Sequence, residues 1–346
     1  MPAPASSCLA LDIGGANIKA AHSSGPIRSL PFPLWRSPDK LPSILRDLLA
    51  TLPPSDRVAL TMTAELCDCY PTKRAGVLAV LNALTESVPE QQIHVWSIDS
   101  DFHSVPHIRA HPLLAAASNW LALANVAATL TSQSPSLLID IGSTTTDLIP
   151  LVNRRVAALG RTDAERLQHR ELLYAGVRRT PLCALADQLP FRLKSTPLAA
   201  ELFATTLDVF LTLGHITDDP ANLDTADNRP ATAEFARDRL ARMVAADRET
   251  FTSEDALHLS ESLRQLFLAK LAQAAEISCV TRFGRPKIIV ISGFGEFLAA
   301  QLAPRLLAPG GSILSLSTLW APEAAAAACA SALLQLIDNP SLINSQ

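Results

Sequence analysis

The chain has 346 residues, of which 48% are hydrophobic and 18% charged, with a formal net charge of −4. That composition excludes a disordered chain and leaves no basic footprint for nucleic acid. The length suits about two domains with ample capacity for a core. The cysteines, at 8, 67, 69, 183, 279 and 329, form no disulfide framework and suit a reducing cytoplasm. One residue between Cys67 and Cys69 is poor zinc spacing. The stretch Met1–Cys8 is too short and too polar for a signal peptide. The apolar runs Leu113–Leu130 and Ala324–Ile337 read as buried helices; Ser118, Asn119, Asn125 and Thr129 interrupt the first. The expectation is a cytoplasmic protein with no membrane and no nucleic-acid partner.

In chain order, residues 8–22 read as a hairpin and Pro26–Pro38 as a proline-rich stretch holding a strand. Pro42–Leu52 has helical apolar spacing at Leu45, Leu48, Leu49 and Leu52, and Arg57–Thr63 reads as a strand. Glu65, Asp68, Lys73 and Arg74 follow that strand directly, where open α/β proteins bind ligands, which singles out Glu65 and Lys73. Gly76–Leu84 is a helix and Gln92–Ile98 a strand. His103, His107 and His111 recur at helical spacing, but Pro106 and Pro112 argue for a surface loop there rather than a zinc helix. Leu113–Thr131 is a long buried helix, and Ser132–Ser136 links it to the next strand.

Past this linker, Leu137–Ile139 leads into Asp140-Ile-Gly-Ser-Thr-Thr-Thr-Asp147, and Leu148–Val152 forms the return strand. Asp163–Leu172 is helical. Arg178 and Arg179 lie between the glycine turn at Gly176 and Pro181, which takes them off an ordinary solvated helix face; arginine forks suit phosphates and carboxylates, and a structural ion pair is the alternative. Phe203–Leu213 looks helical, and the acidic, turn-rich Asp218–Arg229 lacks the calcium-loop order, leaving a lid or a plain loop. Thr232–Asp247 and Ser253–Ser278 are helices. Lys287–Ser292 is the last core strand, followed by Gly293-Phe-Gly295, a helix to Leu307, a short strand at Ile313 and a closing helix, Pro322–Ile337.

Asp140–Asp147 has a shorter echo at Asp12-Ile-Gly-Gly-Ala-Asn-Ile-Lys19, also with strand-like runs on both sides. Each reads as a hairpin with an Asp closing its first strand and a Gly/Ser/Thr turn at its tip. Such a turn exposes backbone N–H groups, and glycine lets phosphate oxygens approach the main chain. A carboxylate at the strand end suits Mg²⁺ held through water. The patterns Gly-Lys-Ser/Thr and Gly-x-Gly-x-x-Gly are absent, and both would lead into a helix rather than a strand.

This doubling resembles the superfamily of acetate and sugar kinases, Hsp70 and actin, in which a third glycine turn touches adenosine; Gly293 and Gly295 stand in that place. The resemblance implies an α/β chain of two ribonuclease-H-like (actin/Hsp70-type) domains facing a central phosphate-binding cleft. The boundaries expected are 1–133 and 134–346, with a helical insertion at about 160–280 and the C-terminal helix packing back on the first domain. More closely, the chain is similar to the hydantoinase A/oxoprolinase-related proteins known as tetrahydromethanopterin-linked C1-transfer proteins, whose archaeal members are methanofuran-biosynthesis synthases. The matching stretches are Leu11–Lys19, Thr61–Asp68, Ala115–Trp120, Asp140–Asp147, Tyr174–Pro181, Thr225–Pro230 and Ser292–Glu296. Asn228 departs from the Thr-Ala-Asp-Gly-Arg pattern and puts that turn in question.

The family resemblance implies condensation of an aminomethylfuran diphosphate with γ-glutamyltyramine, or a related phenol, with release of diphosphate. On this reading we assign Asp12 and Asp140 to water-mediated Mg²⁺. Gly14, Gly15, Asn17, Lys19, Lys73, Gly142, Ser143, Thr144, Thr145 and Thr146 would hold diphosphate, with Gly293 and Gly295 at the third turn. Asp147 would position metal or water, Glu65 or an aspartate would be the base, and Arg178 and Arg179 would meet γ-glutamyl carboxylates. An ATP-dependent phosphotransferase and a non-catalytic nucleotide-binding scaffold are the rival readings, and a homodimer is left open.

Overall fold

The computed structural model describes residues 7–343, so residues 1–6, which carry most of the stretch weighed as a leader, lie outside it. The chain divides into two compact units. One takes the chain up to Leu138, then Ile149–Arg166 and the segment from Leu314 on; the other takes Ile139–Leu148 and Leu167–Ile313.

The first unit begins with β1 (Cys8–Ile13), β2 (Asn17–His22), β3 (Ile27–Pro31), α1 (Leu41–Ala50), β4 (Arg57–Met62) and α2 (Lys73–Thr85). β5 (Ile93–Trp96), β6 (Phe102–Ser104), α3 (Val105–Ala110) and α4 (Asn119–Thr129) follow. The sheet order is β3-β2-β1-β4-β5-β6. β1, β2 and β3 are antiparallel, and β4 and β5 continue the sheet in parallel with β1, the ribonuclease-H-like arrangement that the resemblance implies. β1 is buried at every position, as its unbroken apolar run requires of a central strand covered on both faces. In register, Asp12 of β1 faces Lys19 of β2 on one side and Thr61 of β4 on the other.

Two helix expectations change here. Pro106 occupies the first turn of α3, where no N–H is needed, so a short helix forms where a loop was read. His103 stacks on His107, His111 lies tilted against His107, His103 bonds Asp99 at 2.9 Å, and no group of metal-ligating side chains assembles among the described residues. The buried helix starts at Asn119 rather than Leu113, because Pro112 opens a separate 3₁₀ turn and Ala117 takes a left-handed backbone (φ 49°). Among the described residues, no helix is long and apolar enough to cross a membrane.

The chain continues with β7 (Ser136–Ile141), β8 (Thr146–Val152), β9 (Arg155–Val156), α5 (Asp163–Gln168), β10 (Leu172–Leu173) and α6 (Leu182–Leu185). Then come β11 (Gln188–Phe191), β12 (Lys194–Pro197), α7 (Thr206–Thr212), α8 (Ala233–Met243), α9 (Ser253–Ala275) and α10 (Thr281–Phe283). The last elements are β13 (Ile288–Ser292), α11 (Glu296–Leu306), β14 (Ser312–Ser315), α12 (Leu316–Leu319), α13 (Pro322–Ala326) and α14 (Ala328–Asp338). The second sheet runs β10-β8-β7-β13-β14, with β9 beside β8. The helix read over Asp163–Leu172 stops at Gln168, and Leu172–Leu173 pairs with β8 instead. The closing helix is broken at Ala327 into α13 and α14, and α14 packs on β1, β2, β4 and α4.

α7, α8 and α9 pack together within the second unit. Arg239 of α8, fully buried, donates to Asp208 of α7 at 2.7 Å and to Asp227 at 3.0 Å. Asp227 also holds Arg229 at 2.7 Å, and Asp238 holds Arg229 at 3.0 Å and Arg248 at 2.6 Å. The acidic loop 218–229 is thus tied down by a charge network. Asn228 sits at φ 57°, the left-handed conformation that Asn tolerates best after Gly, so the turn keeps a glycine-like backbone despite the departure.

Candidate functional site

The β1–β2 turn and the β7–β8 turn close in the same way. Gly14 N–H donates to Asn17 O at 3.0 Å, and Gly142 N–H donates to Thr145 O at 2.8 Å. The repeated Asp-Ile-Gly is therefore one structural device used twice: an Asp near the strand end, then a four-residue turn with its first N–H turned inward.

In the first unit Asp12 is buried, with one carboxylate oxygen sealed from solvent and without a hydrogen-bond partner. Burial raises its pKa, and the charge of Lys19 opposes the rise. Gly14 and Gly15 are backed by the segment after β4: Thr63 N–H donates to Ile13 O at 3.0 Å, and a Cβ on Gly15 would come within 2.6 Å of Cys67 Sγ. That same segment carries Glu65 in a 3₁₀ turn, Ala64–Leu66. Gly76 of α2 packs directly on it, since a Cβ there would come within 2.5 Å of Glu65 Cα. Glu65 is 1% exposed, and neither carboxylate oxygen makes a well-formed hydrogen bond. Burial pushes its pKa up to about 7; its own backbone N–H, Lys73 and the N–H of Ala117 pull it down, and Asp163 adds to the rise. Asp163 in turn meets Lys73 at 3.8 Å and Arg166 at 3.4 Å, and the buried Arg166 stacks 4.1 Å above the Trp120 ring. Asp12, Gly14, Gly15, Asn17, Lys19, Glu65 and Lys73 thus belong to one unit, with the segment from Thr63 to Cys67 tying the turn to Glu65. Asp163 is the member that sequence reasoning missed; nothing local to residue 163 signals a partner on α2.

In the second unit three separated stretches converge on the strand end at Asp140. Val177 N–H donates to Gly142 O at 3.1 Å, and Arg178 and Arg179 N–H both donate to Ser143 O at 3.0 Å. Gly176 is required by this contact, because a Cβ would come within 2.5 Å of Ser143 C and Thr144 N. From the other side, Gly295 N–H donates to Ile141 O at 2.7 Å. Gly293 has φ 94°, and a Cβ there would collide with Ile141 O and crowd Asp140 Oδ1. Thr146 is buried, and its hydroxyl donates to Ala175 O at 2.7 Å, so it braces the turn instead of offering a diphosphate ligand. Ser143, Thr144 and Thr145 stay half-exposed at the tip, and Asp147 lies on β8 opposite Leu172. Arg178 is half-buried with its guanidinium 5.2 Å from the Phe294 ring centre, while Arg179 is exposed. Burial lowers the Arg178 pKa, and the carboxylates of Asp224 and Asp219 oppose that. Phe294, Asp219 and Asp224 were not singled out from the sequence; an aromatic ring inside a Gly-x-Gly turn is the signal that was there to be used.

Residues 56–333 match the hydantoinase/oxoprolinase family. The (4-{4-[2-(gamma-L-glutamylamino)ethyl]phenoxymethyl}furan-2-yl)methanamine synthase of Methanocaldococcus jannaschii is 34% identical over 291 residues, covering 83% of this chain and 86% of that protein. The protein of the same name from Methanococcus vannielii is 35% identical over 164 residues, 46% of this chain and 71% of that one. Among solved structures, an archaeal actin homologue is 11% identical with a TM-score of 0.45, over 96% of this chain and 99% of that chain.

Proposed function

The chain belongs to the hydantoinase/oxoprolinase family, and we propose that it is a synthase joining a furanylmethyl donor to γ-glutamyltyramine, or a related phenol, through an aryl ether. The observation that carries this reading is the similarity to the methanococcal synthase along most of both chains. The name of that protein's product contains a phenoxymethylfuran. In the proposed reaction the phenol oxygen bonds to the furan methylene carbon, the bond from that carbon to the diphosphate oxygen breaks, and the phenol loses its proton.

A furan ring supports positive charge on its exocyclic carbon, so the departing diphosphate is the group most in need of stabilisation. Lys19, Lys73 and the polar turn 14–17 are the candidates for it in the first unit, and the turns 142–145 and Gly293–Gly295 are the candidates in the second. The buried, partnerless oxygen of Asp12 fits a hard cation held through water, and Asp140 is its counterpart in the second turn. Mg²⁺ held through water at Asp12 or at Asp140 would supply charge neutralisation of the diphosphate. Glu65 takes the proton. A phenol titrates at about 10, and a carboxylate at about 7 beside Lys73 is a far better acceptor than an ordinary one. Arg178 and Arg179 take the carboxylates of the acceptor.

Mass spectrometry of the purified protein incubated with the furan diphosphate, γ-glutamyltyramine and Mg²⁺ tests this. The expected result is the ether, with one diphosphate per product. Release of ADP from ATP with no ether formed would favour the phosphotransferase reading instead. Bound nucleotide with no turnover of either kind would favour the scaffold.

A further inference from the structure

The reaction proposed above leaves Asp163, Arg166 and Trp120 without a part, although Trp120 closes one of the stretches that carry the family resemblance. In the first unit these three side chains form a chain of contacts that ends on Lys73. Resting on that reaction, in which Glu65 takes the phenol proton, we infer that Asp163 is a positioning residue. It holds the Lys73 ammonium away from the Glu65 carboxylate, and Arg166, laid on Trp120, holds Asp163 in turn.

Lys73 opens α2, whose start is fixed by the Thr72 hydroxyl accepting from Ala75 N–H at 3.1 Å. Gly76 follows one turn later on the same face of the helix, and a Cβ there would come within 2.5 Å of Glu65 Cα. The face that carries Lys73 is therefore the face packed on Glu65. Yet the ammonium lies 3.8 Å from the Asp163 carboxylate, and both Glu65 oxygens, sealed from solvent, stay without a hydrogen-bond partner. Desolvation explains the choice. The Lys73 and Asp163 side chains are 31% and 20% exposed, while Glu65 is 1% exposed. An ammonium gives up less water on Asp163 than it would on Glu65.

Asp163 is itself fixed. Arg166, one turn on along α5, places its guanidinium 3.4 Å from the other Asp163 oxygen. The Arg166 side chain is buried 4.1 Å above the Trp120 ring, and its backbone is pressed against Gly160, where a Cβ would come within 2.5 Å of Arg166 N. The Glu165 carboxylate accepts from the N–H groups of Arg161 and Thr162 at 2.9 and 3.0 Å, which secures the start of the helix. The consequence is chemical. A carboxylate paired with an ammonium is a weaker base than one left unpaired. By taking up Lys73, Asp163 keeps Glu65 basic, and its own like charge adds to the effect. Burial sets Glu65 at about 7, and the charged groups that act on it are Lys73 from α2 and Asp163 from α5.

Carbon-13 titration of the Glu65 carboxyl in the full chain reads this without substrate. Asp163→Asn should lower the midpoint by about 1 pH unit, because Lys73 is then released to pair with Glu65. In a Lys73→Met background the same change should lower it by less than roughly half as much, since only the direct like charge is lost. Asp163→Glu, which keeps the charge, should leave most of the wild-type midpoint in place. Asp163→Ser repeats both comparisons should the amide variant fail to fold. With donor and phenol supplied, Asp163→Asn should also reduce the plateau kcat by about 3-fold to 10-fold, as a weaker base requires. Equal falls of the midpoint in the two backgrounds would overturn the assignment, for Asp163 would then act as a bare charge and not through Lys73. So would a midpoint that Asp163→Asn does not move. If no ether forms but the two backgrounds separate, the synthase reading fails and the positioning of Lys73 stands. If the ether forms and they do not separate, the positioning alone fails.

Discussion

The β1–β2 and β7–β8 turns share one sequence pattern and one closing hydrogen bond, yet their surroundings differ. The second is wedged from two sides, by Gly176 with its following N–H groups and by Gly293–Gly295, and even the Thr146 hydroxyl is used to brace it. The first is backed on one side by the Thr63–Cys67 segment, and beside it sit two buried carboxylates, Asp12 and Glu65, with oxygens lacking hydrogen-bond partners. Uncompensated buried charge is costly and survives where chemistry uses it. The repeated loop thus sits in two settings: the second copy is braced from two sides, and the first adjoins buried carboxyl groups whose pKa values burial raises.

The largest effect expected from breaking this contrast is at Glu65. Glu65→Gln should lower kcat by about 10²–10⁴-fold, the range for a lost general base, with the protein still folded by circular dichroism. Stability should depend on pH at the same residue. A carboxyl whose folded pKa is raised favours the folded state below its unfolded value, and that advantage is lost as pH rises from about 4.5 through about 7. The loss is on the order of 3 kcal/mol, read by urea denaturation across that window, and Glu65→Gln should flatten it. Next is the bracing of the second turn. Gly176→Ala should cost about 3 kcal/mol by denaturant titration. Gly14→Ala, whose Cβ would meet Asn17 O at 3.0 Å and the Thr63 hydroxyl at 3.4 Å, should cost about 1 kcal/mol. Equal costs would erase the distinction between the turns.

Smaller effects sharpen the picture. Asp163→Asn removes a like charge near Glu65 and releases Lys73, so the acidic limb of the pH–rate profile should move to lower pH. Asn228→Gly should change stability by less than about 0.5 kcal/mol, because the left-handed backbone is already accommodated.

The turns were legible because Asp-Ile-Gly between apolar runs is a local signal, and so were the core strands β1, β4, β7 and β13. Less legible was whatever depends on distant packing. Nothing beside Gly76 or Gly176 announces that each must lie against another segment's backbone. The β11–β12 hairpin turns through Arg192 and Leu193, both at positive φ, without the Gly or Asn that marks such a turn; Asp255 and Thr250 O hold Arg192 in place. The run Pro322–Ile337 is too uniformly alanine-rich for periodicity to show the break at Ala327. Charge networks were hidden for the same reason: Asp163 and Lys73, or Asp208 and Arg239, are neighbours only in space.

The most direct test of a poised proton acceptor is to titrate the Glu65 carboxyl itself, by carbon-13 NMR of glutamate-labelled protein with Glu65→Gln supplying the assignment. The account predicts a resonance that half-ionises near pH 7. Ionisation in the ordinary glutamate range, at about 4.3, would contradict it.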